Sequence, residues 1–384
     1  MKKTIRVLVA ILLSVSSFSA FADNDHYVIF VDAGSSGSRL HIFQYDPARP
    51  LSVKDIFSDS VSPGLSSFEQ TPAAAGDSLK KLLTEAQTQL AGKTGAQTVP
   101  VNVFGTAGMR LVAEKNPKTE QTIYASVKQT LDSFPFFAKG NVQTIPGKME
   151  GFYGWLDVNY LEGYFQNQQP TVGSIDMGGA STQIAYAVPA SKNLTDDEVA
   201  VTINNQPYTV FSKSFLGLGQ DESRASVIRE LEGDACFPTG YAFDTFDTSR
   251  RGAFNHITCR NLYDGIIASH HVAQQILPAG EHQFIAYSGI FYTWQFFKVD
   301  TTPDAMWTQN TITDVCNQSW SDIQKAYPKE KEKYLSGYCA NATYETELLH
   351  ATYGLEGYQL TVLNQINGTG IDWTLGAALY SLVK

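Results

Sequence analysis

The sequence predicts an α/β protein built from two similar domains that share a cleft. The main observation is a pattern that occurs twice: an apolar strand ending in aspartate, a loop of small residues, and a second β-prone run. It spans residues 27–45 and returns at residues 171–187, so that Asp32 and Asp176 lie 144 positions apart (176 − 32). A repeat at a fixed spacing indicates duplicated structural units. Segments with helical periodicity separate the strands, which makes the class α/β.

The first loop, DAGSSGSR at Asp32–Arg39, carries the clearest chemical information. Glycine lets a backbone turn tightly and approach a ligand closely. Free backbone N–H groups and serine hydroxyls then form a donor-rich concavity that suits phosphate oxygens. This segment alone is more typical of an ordinary Gly/Ser hairpin with an exposed aspartate. The second copy changes the interpretation to a phosphate clamp with one loop from each domain.

Composition and charge exclude one class of function. The 384 residues are 43% hydrophobic and 17% charged, which suits one large or two ordinary globular domains. The net charge of −10 is not offset by a basic stripe, so we expect no nucleic-acid binding.

Residues 1–22 are predicted to be a cleaved signal peptide. Lys2 and Lys3 form a positive n-region, residues 7–18 are mostly apolar, and Ala20–Ala22 is an A-x-A cleavage site. A retained membrane anchor is the alternative, but the apolar run is short and the chain turns polar at Asp23. We therefore expect a secreted or periplasmic protein without a stable membrane anchor.

Four cysteines agree with export, because disulfides persist in oxidising compartments. Three pairings are possible, and the nearest-neighbour pairing would close two loops of similar size, each contributing roughly 3 kcal/mol. A zinc site is disfavoured because no C-x-x-C pair occurs. The cysteines are Cys236, Cys259, Cys316 and Cys339, and N-x-S/T sequons begin at Asn193, Asn317, Asn341 and Asn367.

The elements before the second loop alternate between strands and helices. Val99–Phe104 is an apolar strand that runs into the small-residue turn Gly105–Arg110, where an open α/β sheet places ligands. An ordinary strand-to-helix turn is the alternative. The other predicted elements are strands at Leu51–Phe57 and Asn141–Ile145 and helices at Thr71–Leu90 and Thr119–Leu131.

A further helix is predicted to begin near Glu150 and to continue through aromatic residues to Leu161. A carboxylate at that position gains about 0.3–1 kcal/mol from the helix dipole, so Glu150 alone would be interpreted as a first-turn cap. The later predicted elements are β-structure at Val201–Ser214, a turn at Phe215–Gly219, helices at Asp221–Leu231, Leu262–Leu277, Asp314–Tyr327 and Cys339–His350, a strand at Phe284–Ser288, and a final helix after Asp372.

Several common catalytic motifs are missing from the sequence. The GxxxxGK[ST] pattern fails because Gln87 stands where the first glycine should precede Gly92-Lys93-Thr94. There is no G-x-S-x-G or H-E-x-x-H motif, and the two repeated loops contain no histidine. Carboxylates, hydroxyls and Gly-rich backbone remain, which suits metal-assisted phosphoryl transfer.

Five blocks resemble, in order, the motif blocks of the apyrases, the nucleoside triphosphate diphosphohydrolases. They are DAGSSGSR at Asp32–Arg39, TAGMR at Thr106–Arg110, MEGFYGW at Met149–Trp155, DMGGASTQ at Asp176–Gln183 and DWTLG at Asp372–Gly376. The family belongs to the actin, sugar-kinase and heat-shock ATPase superfamily. The resemblance therefore implies two ribonuclease-H-like lobes, with the active site in the interlobe cleft. The implied lobe I is residues 23–146 plus 364–384, and lobe II is residues 147–363.

The resemblance also implies roles for residues of these blocks. Asp32 and Asp176 resemble the pair that holds Ca²⁺ or Mg²⁺, largely through water. Glu150 resembles the general base, with Thr106 near the attacking water. The implied phosphate-binding residues are Gly34, Ser35, Ser36, Gly37 and Ser38 in one loop and Gly178, Gly179, Ala180 and Ser181 in the other.

The remaining implied roles concern the attacking water and the nucleobase. Ser181 and Gln183 would help to orient the water. Tyr338 resembles an aromatic residue that stacks on the base, and its facing partner should lie within Tyr353–Tyr358.

The implied function is secreted, metal-dependent hydrolysis of nucleoside tri- and diphosphates to the monophosphate. An exopolyphosphatase or other phosphotransferase of the same superfamily is the first alternative. The second is a non-enzymatic, nucleotide-gated binding protein. The large membrane-anchored relatives carry a transmembrane helix at each end, and we expect this chain to be a minimal version without them.

Overall fold

The structure is a computed structural model that describes residues 25–94, 98–190, 193–244, 248–272, 277, 283–299, 304–355 and 359–383. The predicted signal peptide lies outside these ranges. The strands are β1 (His26–Ala33), β2 (Ser38–Asp46), β3 (Arg49–Val61), β4 (Val99–Gly105), β5 (Phe137–Thr144), β6 (Gly173–Met177), β7 (Ser181–Val188), β8 (Glu198–Ile203), β9 (Gln206–Leu216), β10 (Ala242–Asp244), β11 (Ser249–Arg251), β12 (Phe284–Ser288), β13 (Leu360–Val362), β14 (Gln365–Ile366) and β15 (Thr369–Gly370).

The α-helices follow the same chain order. They are α1 (Lys80–Leu90), α2 (Ala107–Lys115), α3 (Pro117–Asp132), α4 (Gly147–Leu161), α5 (Tyr164–Asn167), α6 (Gln220–Arg229), α7 (His256–Ser269), α8 (Gly289–Phe296), α9 (Ala305–Cys316), α10 (Trp320–Ala326), α11 (Glu332–Leu335), α12 (Tyr338–Thr346) and α13 (Trp373–Val383).

Two mixed sheets form the framework, and they share one topology. The first has the order β3-β2-β1-β4-β5. In it, β1 and β3 both pair antiparallel with β2, whereas β4 pairs parallel with β1 and with β5. The second has the order β13-β12-β6-β7-β9-β8, in which β6, β7 and β9 repeat the antiparallel meander and β12 and β13 the parallel strands. The predicted duplication is therefore present in the fold, and β8 extends only the second sheet.

Three apolar clusters of buried side chains hold these layers together. One lies under the first sheet with α1 and α3, and a second lies under the other sheet with α7 and α12. The third joins the two halves: Phe30 of β1 and Phe104 of β4 pack with Phe152 of α4 and Trp373 of α13. The final helix therefore packs on the first sheet, as expected, and it also packs on α4.

Four predicted helices differ from the observed ones. The helix predicted at Leu262–Leu277 is α7, which begins and ends earlier, and the one predicted at Cys339–His350 is α-helical to Thr346 and continues as a π-helix, Glu347–Thr352. The first half of Thr71–Leu90 is a 3₁₀ helix, Pro72–Leu79, followed by α1. Gly76 donates its N–H to Ser126 Oγ (2.9 Å), and a Cβ at Gly76 would lie 2.3 Å from Ser126 O, so close packing on α3 favours the tighter helix. The predicted Asp314–Tyr327 helix is two helices, and Ser319 caps the second through the Asp322 N–H.

Two disulfides, Cys236–Cys259 and Cys316–Cys339, realise the nearest-neighbour pairing, and each spans 23 residues. The sequon at Asn341 is buried: this side chain is 2% exposed, and its Oδ1 accepts a hydrogen bond from Arg224 (2.9 Å). Among the described residues, no helix combines the length and the hydropathy that crossing a membrane requires.

Candidate active site

The two repeated loops occupy equivalent positions in the two sheets. Asp32 pairs with Arg39 across β1 and β2, and Asp176 pairs with Gln183 across β6 and β7. Both aspartates lie near the end of the central strand of their sheet, where the parallel neighbours also end. The duplication therefore brings two carboxylates to one cleft, one from each sheet.

The loops approach each other closely because glycine is present at the contact. A Cβ at Gly179 would lie 2.7 Å from Ser35 Oγ and 2.8 Å from Asp221 Oδ2. A Cβ at Gly108, in the TAGMR block, would lie 2.9 Å from Ser35 Cα. At Gly108 the close atom is backbone, so a side chain there would displace the first loop, whereas at Gly179 the side chains of Ser35 and Asp221 would have to move.

The second loop is held in shape by the start of α6. The N–H groups of Gln220 and Asp221 donate to the carbonyls of Gly178 (2.9 Å) and Gly179 (2.8 Å). The Gly178 N–H donates to Ser181 O (3.0 Å), which closes the turn. The Gly178 N–H is therefore engaged within the loop, and the N–H groups of the following residues are the better candidates for an anion.

Asp32 and Asp176 are buried carboxylates whose hydrogen-bonding capacity is not fully used within the described residues. The Oδ1 atom of each is buried and has no hydrogen-bond partner among the described residues. Burial raises the pKa of Asp32 well above its usual value, the charge of Asp372 raises it further, and Arg39 opposes the shift. Burial and the charge of Glu150 raise the pKa of Asp176 to about 7. Two hard oxygen ligands that are costly to ionise fit a divalent cation, which would favour the charged form.

Glu150 lies in the first turn of α4, where it belongs to a polar cluster with side chains from three other elements, α2, β7 and β9. Arg110 Nη2 donates to Glu150 Oε2 (2.8 Å) and to Ser181 Oγ (3.0 Å). Gln183 Nε2 lies 3.3 Å from Glu150 Oε2, 2.6 Å from Ser181 Oγ and 2.9 Å from Ser214 Oγ. The two predicted water-orienting residues, Ser181 and Gln183, therefore contact each other, and Gln183 lies beside the predicted base.

Two opposing influences set the proton affinity of Glu150, which is 7% exposed. Burial raises its pKa, and the Arg110 guanidinium lowers it through charge and a hydrogen bond, with a net increase. A carboxylate with a raised pKa is a better proton acceptor at neutral pH than an exposed one.

A chain of alternating charges lines the first-sheet side of the cleft. Arg39 Nη1 lies 3.7 Å from Asp32 Oδ2 and 3.5 Å from Asp372 Oδ2. Asp372 Oδ2 also lies 3.5 Å from His41 Nε2, and His41 Nδ1 lies 2.7 Å from Asp55 Oδ2. Burial lowers the pKa of His41, but the charge of Asp372 and the contact with Asp55 outweigh it and raise the pKa to about 10. His41 therefore lies between two carboxylates, which favour its charged form.

Asp372 connects this chain to the final helix and to α4. Its Oδ1 accepts from the Thr374 N–H (2.9 Å), which caps α13, and its own N–H donates to Asp157 Oδ2 (2.8 Å). Burial raises the pKa of Asp372, but His41 and Arg39 outweigh it and leave the pKa below the usual value. Burial raises the pKa of the fully buried Asp157 well above normal.

Thr106 and Tyr338 line the same cavity, which has a volume of about 980 Å³. Ser38 is only 1% exposed and does not line this cavity, although residues 34–37 of its loop do. Thr106 precedes α2 and is 4% exposed. Tyr338, at the start of α12, stacks on Phe296 with ring centroids 4.2 Å apart, so only its other face is available in the cleft. Tyr353, at one end of the predicted partner range, is 2% exposed in the core and cannot contact a ligand. Residues 356–358 lie outside the described residues.

Sequence reasoning gave no role to Arg110, Arg39, His41 or Asp372. The sequence does contain a pattern that could have identified two of them, Arg39 and Arg110. Arg39 and Gln183 end the matched octets DAGSSGSR and DMGGASTQ, so Arg39 is the counterpart of a residue already assigned to the site. Arg110 follows Thr106 by one helical turn, which directs both to one side of α2. His41 carried no such signal, because its partners come from β3 and the chain terminus.

The two-lobed fold defines the general class of the protein. A nucleoside triphosphate hydrolase from Neospora caninum is similar in structure, with a TM-score of 0.69, 14% identity, and 94% of this chain and 92% of that one covered. A Ppx/GppA protein from Aquifex aeolicus has a TM-score of 0.58 and 12% identity over 93% of this chain and 98% of that one. This chain shares its fold with both proteins.

Similarity in sequence identifies the family of this chain more specifically than similarity in fold does. Ectonucleoside triphosphate diphosphohydrolase 8 of Rattus norvegicus is 30% identical over 97% of this chain and 85% of its own length. A protein named probable apyrase 3 of Arabidopsis thaliana is 28% identical over 93% of this chain and 82% of its own. The model of the GDA1/CD39 (nucleoside phosphatase) family matches residues 19–384, and the chain belongs to that family.

Proposed function

We propose that the protein is an apyrase-type enzyme that removes the terminal phosphate from nucleoside tri- and diphosphates. The observation that carries this proposal is the position of Glu150: it contacts Arg110 and Gln183 and lies in a cleft lined by both Gly/Ser loops. A carboxylate with a raised pKa beside two phosphate loops favours activation of water.

In the proposed step, a water molecule attacks the terminal phosphorus. The water oxygen forms a bond to phosphorus, the bond to the bridging oxygen breaks, and Glu150 accepts a proton from the water. Gln183 Oε1, which is buried without a hydrogen-bond partner in the described part of the chain, would accept a hydrogen bond from the other O–H of the water, which stays on the attacking oxygen, and would align the attack. Arg110 would stabilise charge that develops near Ser181. The products are inorganic phosphate and the shortened nucleotide.

Asp32 and Asp176 would hold Ca²⁺ or Mg²⁺, largely through water. In the described ranges, no group of three or more His, Cys, Asp or Glu side chains is arranged to bind a metal directly. Two carboxylates leave most of a six-oxygen shell to water and to the phosphates of the substrate. When bound, such a cation supplies neutralisation of phosphate charge.

Three further assignments belong to this proposal. The lobes are residues 23–146 with 364–384, and residues 147–363. The free face of Tyr338 stacks on the nucleobase, and the loops Gly34–Ser38 and Gly178–Ser181 hold the phosphates. The protein is exported after cleavage of residues 1–22.

The test is phosphate release from the purified protein with ATP, ADP, AMP and polyphosphate, with Ca²⁺ or Mg²⁺ and with excess EDTA. We expect release from ATP and ADP, none from AMP, and none in EDTA. Release from polyphosphate alone would assign the chain to the exopolyphosphatases instead. Nucleotide binding without any phosphate release would support a binding protein, and activity in EDTA would contradict the role of the metal.

A further inference from the structure

The side chain of Arg224, on α6, is held rigidly in the wall of the cleft. Its Nη1 donates to Asn341 Oδ1 (2.9 Å), and its Nη2 donates to Asp221 Oδ1 (2.6 Å). Asn341 is only 2% exposed, so its amide is a fixed anchor. A Cβ at Gly337 would lie 3.2 Å from Nη1 and 3.4 Å from Cζ, so the guanidinium lies against the backbone beside Tyr338. The backbone at Gly337 and the side chain of Asn341 together determine where the guanidinium lies.

The contacts of Arg224 place its guanidinium between the second loop and Tyr338, since it donates to Asp221 and lies against Gly337. Asp221 contacts the second phosphate loop, because its N–H donates to Gly179 O (2.8 Å). Arg224 follows about one helical turn later, or roughly 5 Å along the axis. Arg224, Tyr338 and Asn341 line the same cavity as the loops. A nucleotide with its phosphates at Gly179 and its base on Tyr338 therefore places an edge of the base beside Arg224.

The guanidinium has five N–H donors and no acceptor. The hydrogen bonds to Asn341 and Asp221 engage two of its nitrogens, and the described residues record no hydrogen bond from Nε. A donor that is charged at all relevant pH values pairs with a carbonyl oxygen and is repelled by the N–H groups of an exocyclic amine. Guanine, hypoxanthine and uracil carry a carbonyl at purine C6 or pyrimidine C4, where adenine and cytosine carry an amine.

We propose that Arg224 recognises the edge of the nucleobase and makes this site prefer 6-oxopurine and 4-oxopyrimidine nucleotides to their amino counterparts. This inference rests on the proposed function, because it takes the base to lie on Tyr338. It assigns a substrate preference to a residue outside the five sequence blocks.

Two nucleotide pairs test this contact, because IDP differs from ADP, and UDP from CDP, only at the carbonyl or amine position and the adjacent ring nitrogen. Affinities are measured by titration calorimetry in EDTA for the wild-type protein, Arg224→Gln and Arg224→Met. Arg229→Gln is the matched control, because Arg229 lies on the same helix and donates to Ser226 Oγ (2.9 Å). Thermal unfolding checks that each variant is folded, and phosphate release is measured in parallel with Ca²⁺.

We expect the wild-type protein and Arg229→Gln to bind IDP and UDP about 10-fold more tightly than ADP and CDP, the effect of one hydrogen bond from a charged donor. In Arg224→Met the two ratios should fall to near 1, and in Arg224→Gln they should fall substantially. Equal affinities in the wild-type protein, ratios that survive both substitutions, or no binding at all would overturn the inference. Preferential IDP binding without phosphate release would support the base preference and contradict the proposed hydrolase.

Discussion

Glu150 is the residue on which the proposed chemistry depends, because it combines burial with contacts to Arg110 and Gln183. Replacing Glu150 by Gln keeps the size and one acceptor oxygen but removes the negative charge and the proton acceptor. We expect the rate of phosphate release to fall by about 10²–10⁴. Nucleotide affinity in calorimetry should stay nearly unchanged. Hydrolysis at the normal rate by Glu150→Gln would show that another group is the base.

Arg110 links α2 to the base, because Nη2 contacts both Glu150 and Ser181. In Arg110→Met, we expect kcat to fall by about 10²–10³, since a preorganised donor is lost. The guanidinium lowers the pKa of Glu150, so its removal should move the acidic limb of the pH–rate profile to higher pH. A lower kcat with an unmoved acidic limb would argue against an effect of Arg110 on Glu150. Lys115→Met, at the end of the same helix, is the control.

At the scale of elements, the crossing of α4 and α13 joins the two halves of the molecule. A Cβ at Gly376 would lie 1.9 Å from the carbonyl oxygen of Tyr153, so the helices touch through backbone. Around this contact, Trp373 stacks on Phe104 of β4 (6.3 Å) and on Tyr153 (6.2 Å). The floor of the cleft is therefore a close-packed helix pair.

Gly376→Ala should consequently destabilise the protein, by about 1–3 kcal/mol as in other overpacked sites. Urea denaturation measures the change. Gly265→Ala is the matched control, because Gly265 is within α7 and a Cβ there would meet no heavy atom within 4 Å. That variant should gain roughly 0.5–1 kcal/mol. Equal effects of the two substitutions would contradict the close crossing.

At the scale of the whole molecule, His41 and Asp372 connect elements that are distant in sequence. His41 is on β2, its partner Asp55 is on β3, and Asp372 precedes α13 and contacts Asp157 of α4. These contacts make the stability of the folded protein depend on the charge of one imidazole.

The sign of this dependence follows from the pKa of His41, which is about 10 in the folded protein against 6.5 for the ordinary side chain. The stabilisation is complete below pH 6.5 and is lost as the pH rises through about 10. His41→Gln should cost about 3 kcal/mol at pH 6 and much less at pH 10. Urea denaturation at pH 6, 8 and 10 measures this. His256→Gln should keep the wild-type slope, and an equal cost of His41→Gln at all pH values would contradict a charged His41.

The residues of the two proposed phosphate loops could be predicted from the sequence, because each loop is a contiguous strand, Gly/Ser turn and strand. The second copy at Asp176 repeats the first at Asp32. Repetition predicted the two sheets, and the motif at Met149–Trp155 identified Glu150 as the candidate base. Helix boundaries were less predictable. The 3₁₀ segment at Pro72–Leu79 depends on packing against Ser126, which the helical spacing of leucines does not contain.

The sequence by itself therefore determined the duplicated α/β fold and the residues of the two loops, because short-range patterns of strand, turn and carboxylate carry them. Only the tertiary structure decided the partners: Arg110 at Glu150, His41 between Asp55 and Asp372, and Arg224 held by Asn341. The physical reason is that charge pairing and burial depend on distances in space. These side chains meet only after the sheets and α13 have packed, across separations of up to 331 positions (372 − 41).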